Sequence, residues 1–267
     1  MNPPIRETIS LTVHHTQLHL STLFRSSSSS QPAILFLHGF GSCKEDLHDL
    51  TLLPQFQNHT FLAYDAPGCG ASSSSDPSKS TISFLVATAL AVLDHYAISH
   101  FHLIGHSMGG LTALMLASTH PARVLSFVNI KGNLAPEDCF LSRQIFSHPG
   151  ASPKDFFEEF IERTRLMPAF SNALYASTLR ERVHVDAVEP IFKSMVQLSD
   201  FEDLLGRFLA LKCPLMFMYG EMNSGLSYLG RLREGGVEMA EIALSGHFPM
   251  YANPPEMYRR IAAFLGN

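Results

Sequence analysis

The 267-residue sequence contains no tryptophan and only four cysteines, at Cys43, Cys69, Cys139 and Cys213. No two of these cysteines have the spacing of metal ligands, which excludes the common zinc-binding modules. The N-terminus also lacks a basic segment followed by an apolar stretch, so we expect no secretory signal. Without such a signal, the cysteines are expected to be reduced thiols. These features predict a cytoplasmic protein.

Long apolar runs and clusters of basic residues are also lacking. The longest apolar stretch, Phe84 to Leu93, is far shorter than the ~20 residues that a membrane-spanning helix needs. Lys and Arg number 19 against 24 Asp and Glu, for a formal net charge of −5. A mildly acidic chain without a Lys/Arg run has no electrostatic feature for binding nucleic acid. We therefore expect neither a nucleic-acid partner nor a membrane span, and the oligomeric state stays open.

The sequence does have the apolar content of a large core, since 46% of its residues are hydrophobic and 16% are charged. Thr8 to Phe24 alternates polar and apolar residues and predicts a hairpin of two antiparallel strands. Short apolar runs predict strands buried on both faces, at Ala33–Leu37, Phe61–Tyr64, Phe101–Ile104, Val124–Ile130 and Leu215–Tyr219. Helical patterns lie between them, at Ser83–Tyr96, at Met108–Thr119 and after Asn253. This alternation predicts an α/β fold with a mainly parallel central sheet covered on both faces.

Residues 134–210 interrupt the alternation, because they contain no strong strand pattern and read as several short helices. The segment is rich in aromatic and other large apolar residues, including Phe140, Phe146, Phe157 and Phe192. These side chains either pack against the sheet or line an apolar pocket under a helical cap, and the pattern leaves both open. The sequence thus predicts a core of residues 1–133 and 211–267 with a cap at 134–210.

A G-x-S-x-G motif occurs at Gly105–Gly109, where a predicted strand meets a predicted helix. In that context the motif is typical of a sharp turn that exposes a nucleophilic serine, here Ser107, at a helix N-terminus. The glycines permit the close backbone approach that such a turn requires. The sequence therefore predicts Ser107 as a nucleophile.

Two further segments carry matching chemistry. A glycine-rich turn at 38–41 follows a buried strand, so the amides of Phe40 and Met108 are predicted to form an oxyanion hole. His247 follows a strand pattern late in the chain, after the serine, and is predicted to be its general base. Of the 14 histidines, only His247 has this position and these flanking residues. His38 is expected to be structural, with hydrogen bonds around the oxyanion loop, and His106 is expected to shape the pocket wall rather than to take part in the chemistry.

The segments HGFG, YDAPGCGAS at 64–72, GHSMGG and GHFP resemble the α/β-hydrolase superfamily, over essentially the whole chain. The resemblance implies the serine-nucleophile branch, an α/β-hydrolase fold with a helical cap, and no metal or organic cofactor. It also implies that Asp65, within D-x-P-G-x-G-x-S, is structural. Because Ser107 holds the nucleophile position, the branches that use an aspartate nucleophile are not matched.

The sequence departs from this family at the third member of the triad, the acid. Asn223 stands where most members carry Asp, and Lys131 stands where a smaller branch carries Glu. A shifted carboxylate, from Asp138, Glu137 or Glu221, could reach the histidine. Alternatively, a Ser–His dyad works with Asn223 orienting the ring, or the chain is a weakened or non-catalytic member.

Two functions from different classes follow. The first is a serine hydrolase that cleaves an ester, thioester or related acyl substrate with an apolar group through an acyl-enzyme on Ser107. The second is a weakened or non-catalytic protein of the same fold that binds a small apolar molecule. Ser107 and His247 favour the enzyme, whereas Lys131 and Asn223 favour the binding protein.

Overall fold

A computed structural model of the protein describes residues 3–147 and 152–266. Within this part of the chain, one sheet of nine strands forms the centre, in the order β1-β2-β4-β3-β6-β7-β8-β9, with β5 paired to β2. The strands are Ile5–Val13 (β1), Thr16–Arg25 (β2), Ala33–Leu37 (β3), Phe61–Tyr64 (β4), Ser73–Ser74 (β5), Phe101–His106 (β6), Val124–Ile130 (β7), Leu215–Gly220 (β8) and Glu238–Ile242 (β9). The pairs β1–β2 and β2–β4 are antiparallel, and every pair from β4 to β9 is parallel.

Helices cover both faces of this sheet. The helices of the described residues, including those outside the two faces, are Ile82–His95 (α1), Met108–Thr119 (α2), Pro153–Arg165 (α3), Phe170–Arg182 (α4), Val185–Phe201 (α5), Leu204–Ala210 (α6), Leu229–Glu234 (α7), Pro249–Ala252 (α8) and Pro254–Leu265 (α9). Short 3-10 turns join several of them. Among the described helices, none is long and apolar enough to cross a bilayer.

The predicted fold class is confirmed, and three predicted strands, β3, β4 and β7, have the expected boundaries to the residue. All five residues of β3 are buried, as expected for a strand with helices on both faces. The predicted N-terminal hairpin is β1 and β2, in register from Ile5 opposite Phe24. Asn253 is the predicted N-cap of the last helix, since its side chain accepts a hydrogen bond from the Glu256 amide.

The helices α3 to α6 form a cap inserted between β7 and β8. Aromatic rings join the cap to the core, as where Phe40 of the core meets Phe192 of α5 with ring centroids 4.6 Å apart. Phe156 and Phe160 of α3 surround the same ring of Phe192. The cap thus lies over the carboxyl ends of β3 and β6, where ligands bind in open α/β sheets. The exact division at residues 134 and 210 stays a prediction.

Candidate active site

Ser107 lies in a strained turn between β6 and α2. Its backbone has φ +52° and ψ −119°, a conformation that L-residues rarely adopt and that is typical of functional turns. A Cβ at Gly109 would lie 2.1 Å from the carbonyl oxygen of Leu37. A Cβ at Gly105 would lie 2.6 Å from the carbonyl oxygen of Gly109. The two glycines therefore allow the turn to pack directly on the end of β3.

His247 faces this serine from the loop that follows β9. Its Nε2 atom lies 3.0 Å from Ser107 Oγ, which is hydrogen-bond distance. Close packing also positions this loop, because a Cβ at Gly220, the last residue of β8, would lie 2.3 Å from the carbonyl oxygen of Gly246. The structure thus brings together the two residues, 140 positions apart in the chain, that the sequence selected.

The imidazole of His247 is buried and lacks a partner on its far side. Burial lowers its pKa well below the ordinary value of 6.5, and the neighbouring His106 and Lys131 lower that pKa further. Among the described residues, no group forms a hydrogen bond with His247 Nδ1. In a complete triad a carboxylate accepts a hydrogen bond from this atom and stabilises the imidazolium. Here the ammonium of Lys131 acts in the opposite direction, because it disfavours the imidazolium.

Asp138, the first candidate for a shifted triad acid, does not bond to His247 because other donors bind both of its oxygens. Its Oδ1 accepts hydrogen bonds from Lys131 Nζ and, at 2.9 Å, from the Tyr228 hydroxyl. Its Oδ2 accepts from the amides of Leu134 and Ala135 at 2.8 and 3.0 Å. Both oxygens thus have two donors, and the ion pair with Lys131 is almost fully buried, with side-chain exposures of 2% and 1%. Asp138 borders the pocket beside Ser107 but does not bond to the histidine.

The other candidate acids do not replace it. Glu137 accepts hydrogen bonds from Ser227, and Glu221 accepts one from the Leu244 amide. Asn223 Oδ1 is buried without a described hydrogen-bond partner. The expectation that a shifted carboxylate reaches His247 is therefore not met, since each carboxylate is drawn to nearer donors.

The predicted oxyanion loop packs against the serine turn. A Cβ at Gly39 would lie 3.2 Å from Ser107 Cβ, so the following amide, of Phe40, is next to the site. Within the described part of the chain, neither this amide nor that of Met108 donates a hydrogen bond to another residue. The Tyr175 hydroxyl donates to the Phe40 carbonyl at 2.7 Å. Both amides thus remain free to donate to a substrate oxygen.

His38 fixes the start of this loop. Its Nε2 accepts a hydrogen bond from the Ala66 amide at 2.9 Å, and its Nδ1 donates to the Gly39 carbonyl at 2.7 Å. The adjoining Asp65 accepts from Lys44 Nζ at 2.9 Å and from the Ala71 amide at 3.0 Å. Both side chains form hydrogen bonds that hold the backbone of neighbouring loops in place, in agreement with the structural roles expected from the sequence.

The site opens into a narrow pocket with a cavity volume of about 20 Å³. Apolar and aromatic side chains dominate its wall, namely Phe40, Phe140, Leu141, Tyr175, Phe192, Met195 and Phe248, with Ser142 and Asp138 as further polar members. Part of the cap therefore lines a pocket. Phe157 is buried away from it, and Phe146 is 53% exposed on a separate groove. Sequence reasoning singled out neither Tyr175 nor Tyr228, because nothing distinguishes them from other helical aromatics.

In the described residues, no three His, Cys, Asp or Glu side chains are grouped so that they could hold a metal ion.

Comparison with known proteins identifies the family and the fold of the chain. A family model for the alpha/beta hydrolase fold matches residues 32–209, about two thirds of the chain. The chain is 25% identical over 256 residues to the pimeloyl-[acyl-carrier protein] methyl ester esterase of Aeromonas hydrophila subsp. hydrophila, with 88% of this chain and 96% of that protein covered.

Solved structures show the same fold at lower identity. A thermophilic esterase from Thermogutta terrifontis superposes with a TM-score of 0.75 at 18% identity, covering 97% of this chain and 98% of that one. A carboxylesterase structure from Nitrososphaera gargenis gives 0.72 at 19% identity, covering 96% and 97%. At these identities the structures establish the fold alone. The family match shows that the chain belongs to the alpha/beta hydrolase family.

Proposed function

We propose that the protein is a serine hydrolase that cleaves a small apolar acyl ester or thioester through an acyl-enzyme on Ser107. The observation that carries the proposal is the contact of 3.0 Å between Ser107 Oγ and His247 Nε2, in a strained turn beside two unpaired amides. A neutral imidazole at this distance can accept the serine proton as the oxygen attacks. The esterase names of the relatives support the same reaction class.

The reaction follows from these positions. Ser107 Oγ attacks the acyl carbon while His247 Nε2 takes its proton, and the amides of Phe40 and Met108 donate to the developing oxyanion. Collapse of this intermediate breaks the bond to the alcohol or thiol, which takes the proton from His247. Water then repeats the two steps on the acyl-enzyme, releasing the acid and free Ser107.

The pocket supports a compact apolar substrate. The cavity between the aromatic rings is narrow, about 20 Å³, which favours a short acyl chain or a small ring, admitted by movement of these side chains, over a long lipid chain. A second candidate function, binding without turnover, is favoured by the unpaired Nδ1 of His247 and the nearby ammonium of Lys131.

One experiment tests the proposal and separates the two functions. The wild-type protein is treated with a fluorophosphonate probe, the modified peptide is located by mass spectrometry, and p-nitrophenyl esters of increasing acyl length are assayed. A hydrolase gives one adduct, on Ser107, and turnover of the short esters. A protein that shows neither adduct nor turnover, yet retains small apolar molecules, is the binding protein.

The pH dependence of hydrolysis should report the lowered pKa of His247. Because burial, His106 and Lys131 all favour the neutral imidazole, the base form persists as the pH falls through 6.5. We expect kcat/KM to stay level from pH 8 to pH 6.5 and to fall only with an apparent pKa clearly below 6.5.

The same shift affects folding, so the fold must be followed by circular dichroism at each pH. A histidine buried in its neutral form gives stability that is complete above 6.5 and is lost as the pH falls through its folded-state pKa. A midpoint of kcat/KM at or above 6.5 in folded protein would contradict the assignment of His247.

Phe192 is expected to set the acyl-length preference. Its ring forms one wall of the pocket and packs on Phe40. Phe192→Ala should therefore make room for longer acyl chains. Each additional methylene that the enlarged pocket buries contributes about 0.8 kcal/mol, or roughly fourfold in kcat/KM for the longer ester relative to acetate. The measurement is the ratio of kcat/KM between butyrate and acetate esters.

Phe157→Ala is the matched control, because that ring is buried in the same cap without lining the pocket. Both variants should lose stability, but a ratio between two substrates does not depend on the folded fraction. Equal ratios in wild type and in both variants would show that the cap does not select the acyl chain.

A further inference from the structure

His106 occupies a central place between the loops of the site. It is the last residue of β6, directly before Ser107, and its side chain is fully buried. Its Nε2 lies 2.9 Å from the main-chain carbonyl oxygen of His247. Because a carbonyl only accepts, the ring must carry its proton on Nε2 and donate. The ring is thus tied to the loop that holds the general base.

The same ring contacts the oxyanion loop and the residue after the base. A Cβ at Gly39 would lie 2.6 Å from His106 Nδ1, so this loop passes directly over the ring. The ring centroid lies 5.1 Å from that of His247 and 5.6 Å from that of Phe248. The buried side chain of His106 therefore lies between the serine turn, the oxyanion loop and the histidine loop and contacts all three.

This arrangement matters because the imidazole of His247 is not held by an acid. Its Nδ1 has no hydrogen-bond partner among the described residues, so its position depends on its backbone and on ring packing. Phe140 packs edge-on at 5.2 Å between centroids, but it is 40% exposed and is held less firmly. The bond from His106 is a polar contact that joins the histidine loop directly to the serine turn, whereas the bond from the Met222 amide to the Ser245 carbonyl joins that loop to the turn that follows β8.

We propose that His106 is a positioning residue, which holds the His247 carbonyl so that Nε2 of His247 stays within hydrogen-bond distance of Ser107. The role rests on the proposed function. It requires a neutral ring with its proton on Nε2, and burial supports this by lowering the pKa of His106 to about 4.

Three substitutions separate positioning from filling of space. His106→Gln carries an amide N–H group to roughly the place of Nε2, His106→Asn stops short of it, and His106→Leu fills the space without a donor. Misplacement of a reacting group by about 1 Å costs on the order of 100-fold. We therefore expect Leu and Asn to lower kcat by about 10- to 100-fold, with KM within about twofold and slower fluorophosphonate labelling. Gln should recover kcat to within about threefold of wild type.

The outcomes distinguish this proposal from the proposed function. If Gln, Asn and Leu all have the wild-type kcat, or all lose it equally while melting as wild type, then His106 does not position His247. If Ser107→Ala retains labelling and hydrolysis, the proposed function itself fails.

A measurement on the wild-type protein covers the case in which the variants do not fold. With ¹⁵N-labelled histidine, the ring nitrogens of His106 should give the pattern of a neutral imidazole protonated at Nε2, unchanged between pH 8 and pH 6. A ring protonated at Nδ1 cannot donate to the His247 carbonyl, and that result would overturn the proposal.

Discussion

Replacing Ser107 by alanine is expected to abolish fluorophosphonate labelling and to lower ester hydrolysis by at least ~100-fold. The figure follows from the missing acid. Loss of the serine from a complete triad costs ~10⁶ in kcat, and loss of the acid alone costs ~10⁴. In a site that already lacks the carboxylate, loss of the serine is therefore expected to lower kcat by about a further 100-fold. The measurement is kcat/KM for a p-nitrophenyl ester, together with labelling followed over time.

Ser142→Ala is the matched control for this variant. Its hydroxyl also borders the pocket and is buried without a hydrogen-bond partner that meets normal geometry, but it does not contact His247. We expect it to label and hydrolyse as the wild type does. Alanine at 107 leaves the turn at φ +52°, so the melting temperature should hardly change. Labelling at the wild-type rate in Ser107→Ala would place the nucleophile elsewhere.

The sheet was predictable because its strands are buried on both faces. Continuous apolar runs such as Ala33–Leu37 have no other stable place in a chain of this length, and the structure confirms their boundaries. Strand ends beside the site were less predictable. β6 extends through Gly105 and His106, where a glycine and a polar residue end the apolar pattern although the backbone continues in the sheet.

Ser107 and His247 could be selected from the sequence because their backbone surroundings leave marks in it. The serine turn needs glycines on both sides, and the histidine loop needs glycine at Gly220, because a Cβ there would lie 2.3 Å from the Gly246 carbonyl oxygen. The electrostatic contacts of the site have no comparable pattern in the sequence. The bond from Lys131 to Asp138 and the orphaned Nδ1 of His247 depend on side-chain directions that follow only from the packed fold.

Lys131 marks the point at which sequence and structure together say more than either alone. The sequence places an ammonium where one branch of the family carries its acid. The structure shows that this residue adopts φ +47° after β7 and turns its buried side chain to Asp138. Its charge still acts on His247, since Lys131 is among the groups that lower the pKa of that histidine. Lys131 therefore engages the nearby carboxylate of Asp138 and also opposes formation of the imidazolium at His247.

Removing this ammonium is expected to raise hydrolysis. Lys131→Met should increase kcat/KM at pH 7 by about 10-fold or more, because a positive charge is lost near His247 while Asp138 keeps its three other hydrogen-bond donors. The apparent pKa of the acid limb should rise toward 6.5 at the same time. Removing one partner of a buried ion pair costs about 3–5 kcal/mol, so the melting temperature should fall.

A carboxylate at this position should act more strongly. Lys131→Glu alone would set two carboxylates against each other, so Lys131→Glu combined with Asp138→Asn is the better design, since the new amide can donate to Glu. With a carboxylate in reach of Nδ1, we expect a further rise in kcat/KM, up to the ~10⁴ that a triad acid contributes. The double variant also tests whether the end of β7 is the vacated acid site.

Lys44→Met provides the control that separates charge from stability. Lys44 forms another buried ion pair, with Asp65 at 2.9 Å, but it is not among the groups that shift the pKa of His247. It should lose comparable stability without moving the acid limb of the pH profile. Lys44→Met is expected to leave the acid limb unchanged. If Lys131→Met also leaves that limb unchanged, and does not alter kcat/KM, then the ammonium of Lys131 exerts no field at His247. The low activity expected of a site without an acid would then have to arise from the unpaired Nδ1 alone, and supplying a carboxylate in the double variant would be the only change able to raise it.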